Sequence, residues 1–259
     1  MARKSEKYQD HRNQVQRFNM KVLNLLAITL STAFLVACGG AGGGGTATVV
    51  STSTFQLKTA YVNDLTQIRS GKPFTISGTI NGVTVTGNGT VTSGSATAAS
   101  FEGAPVLQQT STASVSLIAN GRSTPLTTTS TSYVDSNYMP KGVSSSTVGA
   151  GITITTYEIV TGAVNIPATA RVYDTGSLIT FDRYTTSAKT SYLGTTEYSF
   201  ALQPDTAATA LLKIISTDKD TLGAVTQTST STFRIDPNGA FTELSETAVD
   251  STGTLTFTY

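Results

Sequence analysis

The feature that most constrains the fold of this chain is a two-residue alternation of apolar and hydroxyl side chains. Residues 74–80 and 83–86 alternate in this way on either side of Asn81-Gly82. An apolar side chain at every second position matches one face of a β-strand. Asn-Gly readily adopts the positive φ angles that a two-residue hairpin loop requires. The pattern therefore predicts a β-hairpin at this point.

Similar turn signals recur towards the C-terminus. Asn120-Gly121, Asp174-Thr175-Gly176 and Asn238-Gly239 each lie between runs with strand-like alternation. Strand signals at such short intervals are typical of sandwiches and barrels. We therefore predict a mainly β domain over residues 72–259, built of antiparallel meander sheets as a sandwich or an open barrel.

One short N-terminal helix is predicted before the first strand, within residues 55–71. Four apolar residues follow one another at steps of four, four and three positions, as on one face of a helix. They are Leu57, Tyr61, Leu65 and Ile68. Gly71 is the candidate residue after the helix C-terminus, and Pro73 prevents the helix from continuing. The expected role of this helix is to cover one face or end of the sheet.

Two weak sequence matches indicate an internal repeat. The matching segments are 107–113 with 202–208, and 130–137 with 231–238. They predict two similar halves, near 73–145 and 165–250, joined by a Ser- and Gly-rich linker at 142–151. Chance similarity between segments rich in Ser and Thr is the alternative explanation.

The N-terminal segment has the order of features found in a secretory signal. Lys21 precedes an apolar run, residues 22–37, that is short for a membrane-spanning helix. We therefore assign residues 1–37 to a signal segment. A complete signal begins at Met20, so translation from Met20 and a long natural leader are both open.

The end of the apolar run, Leu35-Val36-Ala37-Cys38, resembles the lipobox of bacterial lipoproteins. The resemblance implies that the signal is cut before Cys38 and that Cys38 carries acyl chains, which anchor stably when there are two or more. Residues 38–54 would then be the lipidated Cys and a Gly-rich tether. Because Gly39 stands where Asp would favour inner-membrane retention, the resemblance also implies the outer membrane. A buried Cys38 after an uncleaved apolar helix is the alternative.

The scarce residue types exclude several kinds of chemistry. The chain has no Trp, and its single His and single Cys are His11 and Cys38. The rest of the chain therefore offers no Ser-His-Asp or Cys-His centre and no His or Cys ligand for a metal or cluster. Of the 17 Lys and Arg and 16 Asp and Glu residues, residues 1–38 hold six cations and two anions, so the remainder is mildly acidic. We expect no cofactor and no nucleic-acid partner.

Three polar motifs are candidates for chemistry. Glu102 and Glu197 could form the carboxylate pair of a glycoside hydrolase. Ser216 and Lys219 match the S-x-x-K motif of penicillin-recognising enzymes, although that motif requires the start of a helix. Asp218-Lys219-Asp220 resembles the beginning of a calcium loop, but a polar hairpin turn explains it as well. We predict no catalytic and no metal-binding residues, and we keep a carboxylate- or Ser-Lys-dependent hydrolase as an alternative.

Seven tyrosines supply the aromatic surface of the domain. We expect them to cap sheet edges with their hydroxyls in water, and some of them could line a binding groove. They are Tyr133, Tyr138, Tyr157, Tyr173, Tyr184, Tyr192 and Tyr198.

The last strand supports a rival interpretation. Leu255, Phe257 and Tyr259 alternate with Thr, which resembles the final strand of outer-membrane β-barrels. Such a barrel needs a continuous apolar band on its outside, flanked by aromatic girdles. Residues 127–132 are polar on both faces, so we prefer a strand that does not face lipid.

The combined prediction is a lipid-anchored cell-envelope lipoprotein with a non-enzymatic binding or structural role. It would contact the outer membrane, on the periplasmic or the surface side, through acyl chains on Cys38. Its further partner would be a protein or a glycan. An outer-membrane-inserted β-barrel is the alternative.

Overall fold

The computed structural model describes residues 50–259. The predicted signal segment, Cys38 and residues 39–49 of the predicted tether lie outside this range. Within the range, the chain forms one α-helix and thirteen β-strands, which confirms the prediction of a mainly β fold with one short helix. The elements are α1 (Leu57–Thr66), β1 (Arg69–Ile80), β2 (Val83–Ser93), β3 (Thr97–Phe101), β4 (Ala104–Ala119), β5 (Arg122–Val134), β6 (Pro140–Gly149), β7 (Ile152–Thr161), β8 (Thr175–Tyr184), β9 (Tyr192–Pro204), β10 (Ala210–Lys219), β11 (Val225–Ile235), β12 (Phe241–Asp250) and β13 (Gly253–Thr258).

The strands form a closed ring in which neighbours are antiparallel. From β4 to β13 they pair in chain order; β13 then pairs with β1, β1 with β2, and β2 with β4. Twelve strands thus make a barrel, and β3 is an extra strand that pairs with β4 outside the ring. Closure satisfies the backbone groups that the two edges of a flat sheet would leave unpaired. The predicted meander is therefore a barrel rather than a sandwich, closed by pairs such as Ile76 with Phe257.

Tight turns join several of the strands at one end of the barrel. Asn81-Gly82 and Asn120-Gly121 have positive φ at both positions, as the sequence predicted. Ala150-Gly151 adopts the same conformation between β6 and β7, at the end of the segment predicted to be a linker. That prediction was wrong, because residues 142–149 belong to a paired strand of the barrel.

The two sequence matches differ in their structural meaning. Segments 130–137 and 231–238 are equivalent, since each covers the end of a strand and the turn after it, and β5 and β11 lie on opposite sides of the ring. In both turns an aspartate, Asp135 or Asp236, accepts hydrogen bonds from the backbone N–H groups two and four residues later. Segments 107–113 and 202–208 are not equivalent, because the first lies within β4 and the second leaves β9 for a loop. The halves 73–145 and 165–250 are thus parts of one continuous ring.

The helix α1 lies at the end of the barrel where β1 begins and β13 ends. We call this the helix end, and we call the opposite end, with the Asn81-Gly82 and Asn120-Gly121 turns, the hairpin end. Just before α1, Phe55 pairs with Ala170 through two backbone hydrogen bonds of 2.8 and 3.0 Å. The Asn63 amide donates to the Gly239 carbonyl at 3.3 Å. Gly239 has a φ of +85°, and a Cβ there would lie 2.8 Å from the Gln56 carbonyl oxygen, so the close approach of α1 requires glycine.

The helix is shorter than the sequence predicted. It ends at Thr66, and Ile68 is 66% exposed rather than part of the buried face. Gly71 does not end the helix but lies in β1 at a register shift between Ser70 and Lys72. The residues of α1 that are buried are Leu57, Ala60, Asp64 and Leu65. Among residues 50–259, no helix is long and apolar enough to cross a membrane.

The barrel interior contains two main apolar clusters. One, which we call the filled half, is formed by inward side chains of β1, β2, β4, β5, β12 and β13: Phe74, Ile76, Ile80, Val85, Val91, Ala113, Val115, Leu117, Leu126, Ala248, Leu255 and Phe257. The other, beneath α1, joins the helix to β9–β11: Phe55, Leu57, Ala60, Ala170, Val172, Phe200, Leu202, Ala210, Leu212, Phe233 and Ile235. The second cluster borders a cavity and, with that cavity and the charged groups near it, forms what we call the hollow half.

Candidate ligand-binding cavity

A cavity of about 90 Å³ lies between α1 and the inward faces of β8–β11. Its walls are almost entirely aliphatic and aromatic. The lining residues are Leu57, Ala60, Tyr61, Pro140, Ile166, Pro167, Leu178, Ile179, Phe181, Tyr198, Phe200, Leu212, Ile214, Ser231, Phe233 and Phe241. Concave, mostly apolar sites with few polar groups are the usual form of a small-molecule site.

The two-residue alternation of the strands builds the sheet side of this cavity. On β9, Tyr198 and Phe200 point inwards, and the residues between inward positions point to the outside. Phe181 meets Tyr198 edge to face at 5.6 Å between ring centroids. Two small residues, Ala60 on the helix and Ser231 on β11, lie among these rings and contribute little volume of their own. Rigid rings held apart by small side chains leave the space open.

The Tyr61 hydroxyl is a polar group of the lining that lacks a partner. It is buried and makes no hydrogen bond to the described part of the chain. Burial raises its pKa far above the usual value for tyrosine, and the nearby carboxylates of Asp64 and Asp135 raise it further. The hydroxyl is therefore uncharged at neutral pH and free to donate or accept one more hydrogen bond.

A charged cluster lies close to the cavity, next to Tyr198. Arg183 Nη1 is 3.3 Å from Asp218 Oδ2, and the Thr196 hydroxyl donates to Asp218 Oδ1 at 2.6 Å. The pKa of Glu158 is raised to about 7, chiefly by burial and in part by the charge of Asp218, while Arg183 partly offsets the rise. Burial also raises the pKa of Tyr198, and Glu158 and Asp218 add to that effect. The cluster therefore holds two buried carboxyl groups against one guanidinium.

Further ion pairs hold the helix end of the barrel together. Arg69, at the start of β1, pairs with Asp64 of α1, and both side chains are buried. Lys72 Nζ is 3.8 Å from Glu243 Oε2 and 4.8 Å from the centre of the Tyr259 ring. Burial raises the pKa of Glu243, although Lys72 favours its charged form. These contacts connect α1, β1, β12 and the C-terminus.

The structure does not bring together the two glutamates proposed as a hydrolase pair. Glu102 lies in the turn between β3 and β4, where it accepts from the Tyr157 hydroxyl at 2.6 Å and pairs with Lys189. Glu197 lies on the outward face of β9 and pairs with Lys219 at 2.6 Å. Each carboxylate thus has its own lysine on a separate part of the barrel surface.

The S-x-x-K residues are on opposite faces of one strand. Ser216 points into the barrel from β10 and is buried, whereas Lys219 points outwards. Asp218 belongs to the charged cluster, and Asp220 accepts from the backbone N–H groups of Leu222 and Ala224 in the following turn. Across residues 50–259, no three His, Cys, Asp or Glu side chains are grouped to hold a metal ion.

The seven tyrosines do not form one groove. Phe101 of β3 stacks on Tyr133 at 4.3 Å and contacts Tyr157 at 5.4 Å, with Tyr184 beside them, on the outside of the ring. Tyr198 alone of the seven lines the cavity. Tyr173, in the loop before β8, is 69% exposed and has a φ of +78°.

Sequence reasoning missed the charged cluster and the cavity. Glu158 and Arg183 sit in strand-like alternation like their neighbours, and the pattern does not tell which face is inward. Tyr61 was assigned to the apolar face of the helix, and its hydroxyl was not considered. Cys38 lies outside the described residues. Comparison with protein-family models, with curated proteins and with solved structures finds no match to this chain.

Proposed function

We propose that this protein is a lipid-anchored envelope lipoprotein whose barrel binds a small apolar molecule in the cavity beneath α1. The observation that carries the binding role is the apolar cavity between the helix and the inward faces of β8–β11. An engineered apolar cavity of about 150 Å³ takes benzene. A cavity of about 90 Å³ therefore suits a ligand of a few carbon atoms, or the end of a longer one.

The anchor proposal rests on the lipobox-like residues before Cys38. The chain enters the barrel at the helix end, through Phe55 and α1. The 16 residues between Cys38 and Phe55, six of them Gly, would span roughly 20–24 Å as a flexible chain. The helix end, with the cavity behind it, would then be the part of the barrel nearest to the membrane.

The outward face of the barrel favours a tethered rather than a membrane-inserted barrel. On β11 the outward positions are Thr226, Thr228, Thr230 and Thr232. Two ion pairs, Glu197 with Lys219 and Asp205 with Arg234, add charge to the outside. A lipid-facing barrel needs an apolar band at these positions, and a charge at the bilayer midplane costs about 2–4 kcal/mol.

The side chains of the last strand, β13, also favour a tethered barrel. Leu255 and Phe257 are 0% exposed because they face the barrel core, not the outside. The Tyr259 ring also packs inside, 5.5 Å from that of Phe74. The closed ring favours membrane insertion as a second candidate function. The apolar face of β13, however, points into the barrel and away from any surrounding lipid.

The anchor is tested by Cys38→Ser. We expect palmitate labelling to disappear and the precursor to remain uncleaved, with wild-type protein as the control. Normal processing of this variant would overturn the lipobox assignment.

Insertion is tested with residues 39–259 exported behind an unrelated cleavable signal, so that only the anchor is missing. A soluble, strand-rich product that melts cooperatively supports the tethered barrel. A product found only in membranes, and shifted on unheated gels, would support the inserted barrel instead.

The cavity is tested with xenon, which enters small apolar cavities, and with a matched pair of variants on β10. Ile214→Phe adds bulk to the lining, whereas Ile215→Phe makes the same change on the outward face. We expect xenon to shift the methyl NMR signals of Leu212 and Ile179 in wild type and in Ile215→Phe, but not in Ile214→Phe. Equal shifts in all three proteins would show that xenon binds elsewhere.

A further inference from the structure

The unpartnered hydroxyl of Tyr61 narrows the class of ligand that the cavity can take. Tyr61 stands on α1 and forms part of the lining, and its hydroxyl oxygen is buried without a hydrogen-bond partner among the described residues. Leaving a buried polar group unpaired is costly, so native structures nearly always give such a group a partner. A bound molecule is one source of that partner, because Tyr61 forms part of the cavity wall.

The charges around Tyr61 constrain the polar group of that molecule. Asp64 and Asp135 are the two carboxylates whose charge acts on the hydroxyl. Asp64 pairs with Arg69, and Asp135 is 3.3 Å from Lys141 and accepts from the backbone N–H groups of Asn137 and Met139. Although partial burial opposes it, the backbone N–H groups of Met139 and Asn137, together with Lys141, lower the pKa of Asp135. A further anion placed beside the hydroxyl would meet the two carboxylates, Asp64 and Asp135. The cations next to them, Arg69 and Lys141, are already paired.

The rest of the lining excludes a strongly polar ligand. Apart from the Tyr61 and Tyr198 hydroxyls and Ser231, the side chains around the cavity are aliphatic or aromatic. A ligand with several polar groups would lose its water without gaining hydrogen bonds in return. Of these three hydroxyls, only that of Tyr61 is buried without a partner among the described residues, so one polar group per ligand is what this site requires.

We propose that the cavity takes a small, uncharged, mostly apolar molecule whose single hydroxyl or carbonyl group hydrogen-bonds to the Tyr61 hydroxyl. This inference rests on the proposed binding function and names its ligand class. Tyr61 acts as the specificity-determining residue, and the aromatic walls supply the apolar contact. Anionic relatives of the same molecule are disfavoured by Asp64 and Asp135, and a cationic relative would lose its water to the apolar lining.

The test compares three probe molecules that share the same five-membered carbon ring: cyclopentane, cyclopentanol and cyclopentanecarboxylate. Binding is followed by methyl NMR titration of residues 39–259 and of their Tyr61→Phe variant. The wild type should bind cyclopentanol about three- to tenfold more tightly than the variant does. This difference is the contribution expected from one net hydrogen bond. Cyclopentane should bind both proteins equally, and the carboxylate should bind neither.

The outcomes separate the two proposals. If cyclopentane and cyclopentanol both bind but Tyr61→Phe changes neither affinity, or weakens both equally, the role of Tyr61 is overturned while the binding function stands. If the carboxylate binds as well as the alcohol, the uncharged class is overturned. If neither xenon nor any of the three probes enters the wild-type cavity, the binding function itself fails.

Folding of the variant provides an independent check. The hydroxyl makes no hydrogen bond within the described chain, so its removal should leave the melting temperature of the empty protein unchanged or raised. A marked fall in the melting temperature would show that Tyr61 holds a structural hydrogen bond, and would overturn its role in recognition.

Discussion

The two halves of the barrel interior are built from the same alternating strands but are packed differently. In the filled half, the Phe74 ring lies 6.0 Å from that of Phe257 and 5.5 Å from that of Tyr259, within one apolar cluster. In the hollow half, aromatic rings border an open cavity, and Glu158, Arg183 and Asp218 are buried nearby. Cavities reduce stability, whereas buried carboxyl groups occur beside both halves, since Glu243 lies next to Tyr259. The filled half therefore stabilises the barrel, and the hollow half is where a binding role is to be sought.

Making the same substitution in each half tests whether the two halves are packed differently. Leu255→Ala removes a fully buried side chain from the filled half, and Leu212→Ala removes one that borders the cavity. Leucine-to-alanine changes in cores cost about 2–5 kcal/mol. We expect Leu255→Ala to lie near the upper end and Leu212→Ala near the lower end, because Leu212 has fewer packed neighbours to lose.

Equilibrium unfolding in urea measures both values, and the slope of each unfolding curve controls for changes in the unfolded state. Equal losses of unfolding free energy would mean that the two halves are packed alike, and the distinction between them would fail.

The second prediction concerns pH and the charged cluster. Because the pKa of Glu158 is raised to about 7 in the folded protein, folded Glu158 keeps its proton between its usual pKa and pH 7 while the unfolded chain loses it. Stability should therefore fall as pH rises through this window, by on the order of 3 kcal/mol from Glu158 alone. The loss is absent below about pH 4.5 and complete above about pH 7. Burial of Asp218 raises its pKa too and acts in the same direction.

Glu158→Gln removes this contribution. We expect the variant to be more stable than wild type at pH 8 and similar to it at pH 4.5, as measured by chemical unfolding at both values. Glu197→Gln, on the outward face of the barrel, is the control and should leave the slope with pH unchanged. A wild-type stability that is flat between pH 4.5 and 8 would contradict the burial of Glu158 as an unpaired acid.

Removing one partner of an exposed ion pair should affect stability less than any change inside the barrel. Lys219 and Glu197 approach to 2.6 Å, but both side chains reach solvent. Exposed ion pairs contribute about 0–1 kcal/mol. Lys219→Met should therefore lower the unfolding free energy by less than about 1 kcal/mol, and 1 M NaCl should abolish the difference. A loss as large as that of Leu212→Ala would place this pair inside the cooperative core.

Much of the local structure could be predicted from the sequence. The turns at Asn81-Gly82 and Asn120-Gly121 were found because their conformation depends on the residues of the turn itself. The Ser-rich segment 142–151 was taken for a linker, because composition does not show that Ser145 and Thr147 pair with hydroxyls on neighbouring strands at 2.6 and 2.8 Å. The same hydroxyl pairs explain why residues 127–132, polar on both faces, still form a barrel strand.

By itself, the sequence determined where strands begin and turn, and which residue types are unavailable for chemistry. These properties depend on neighbours along the chain: a period of two, and residues that accept positive φ. The tertiary structure decided that β13 meets β1, which face of each strand is inward, and that Tyr61 reaches a cavity shared with β8–β11. Apolar and hydroxyl side chains occur on both faces of these strands, so inside and outside become distinct only when the ring closes.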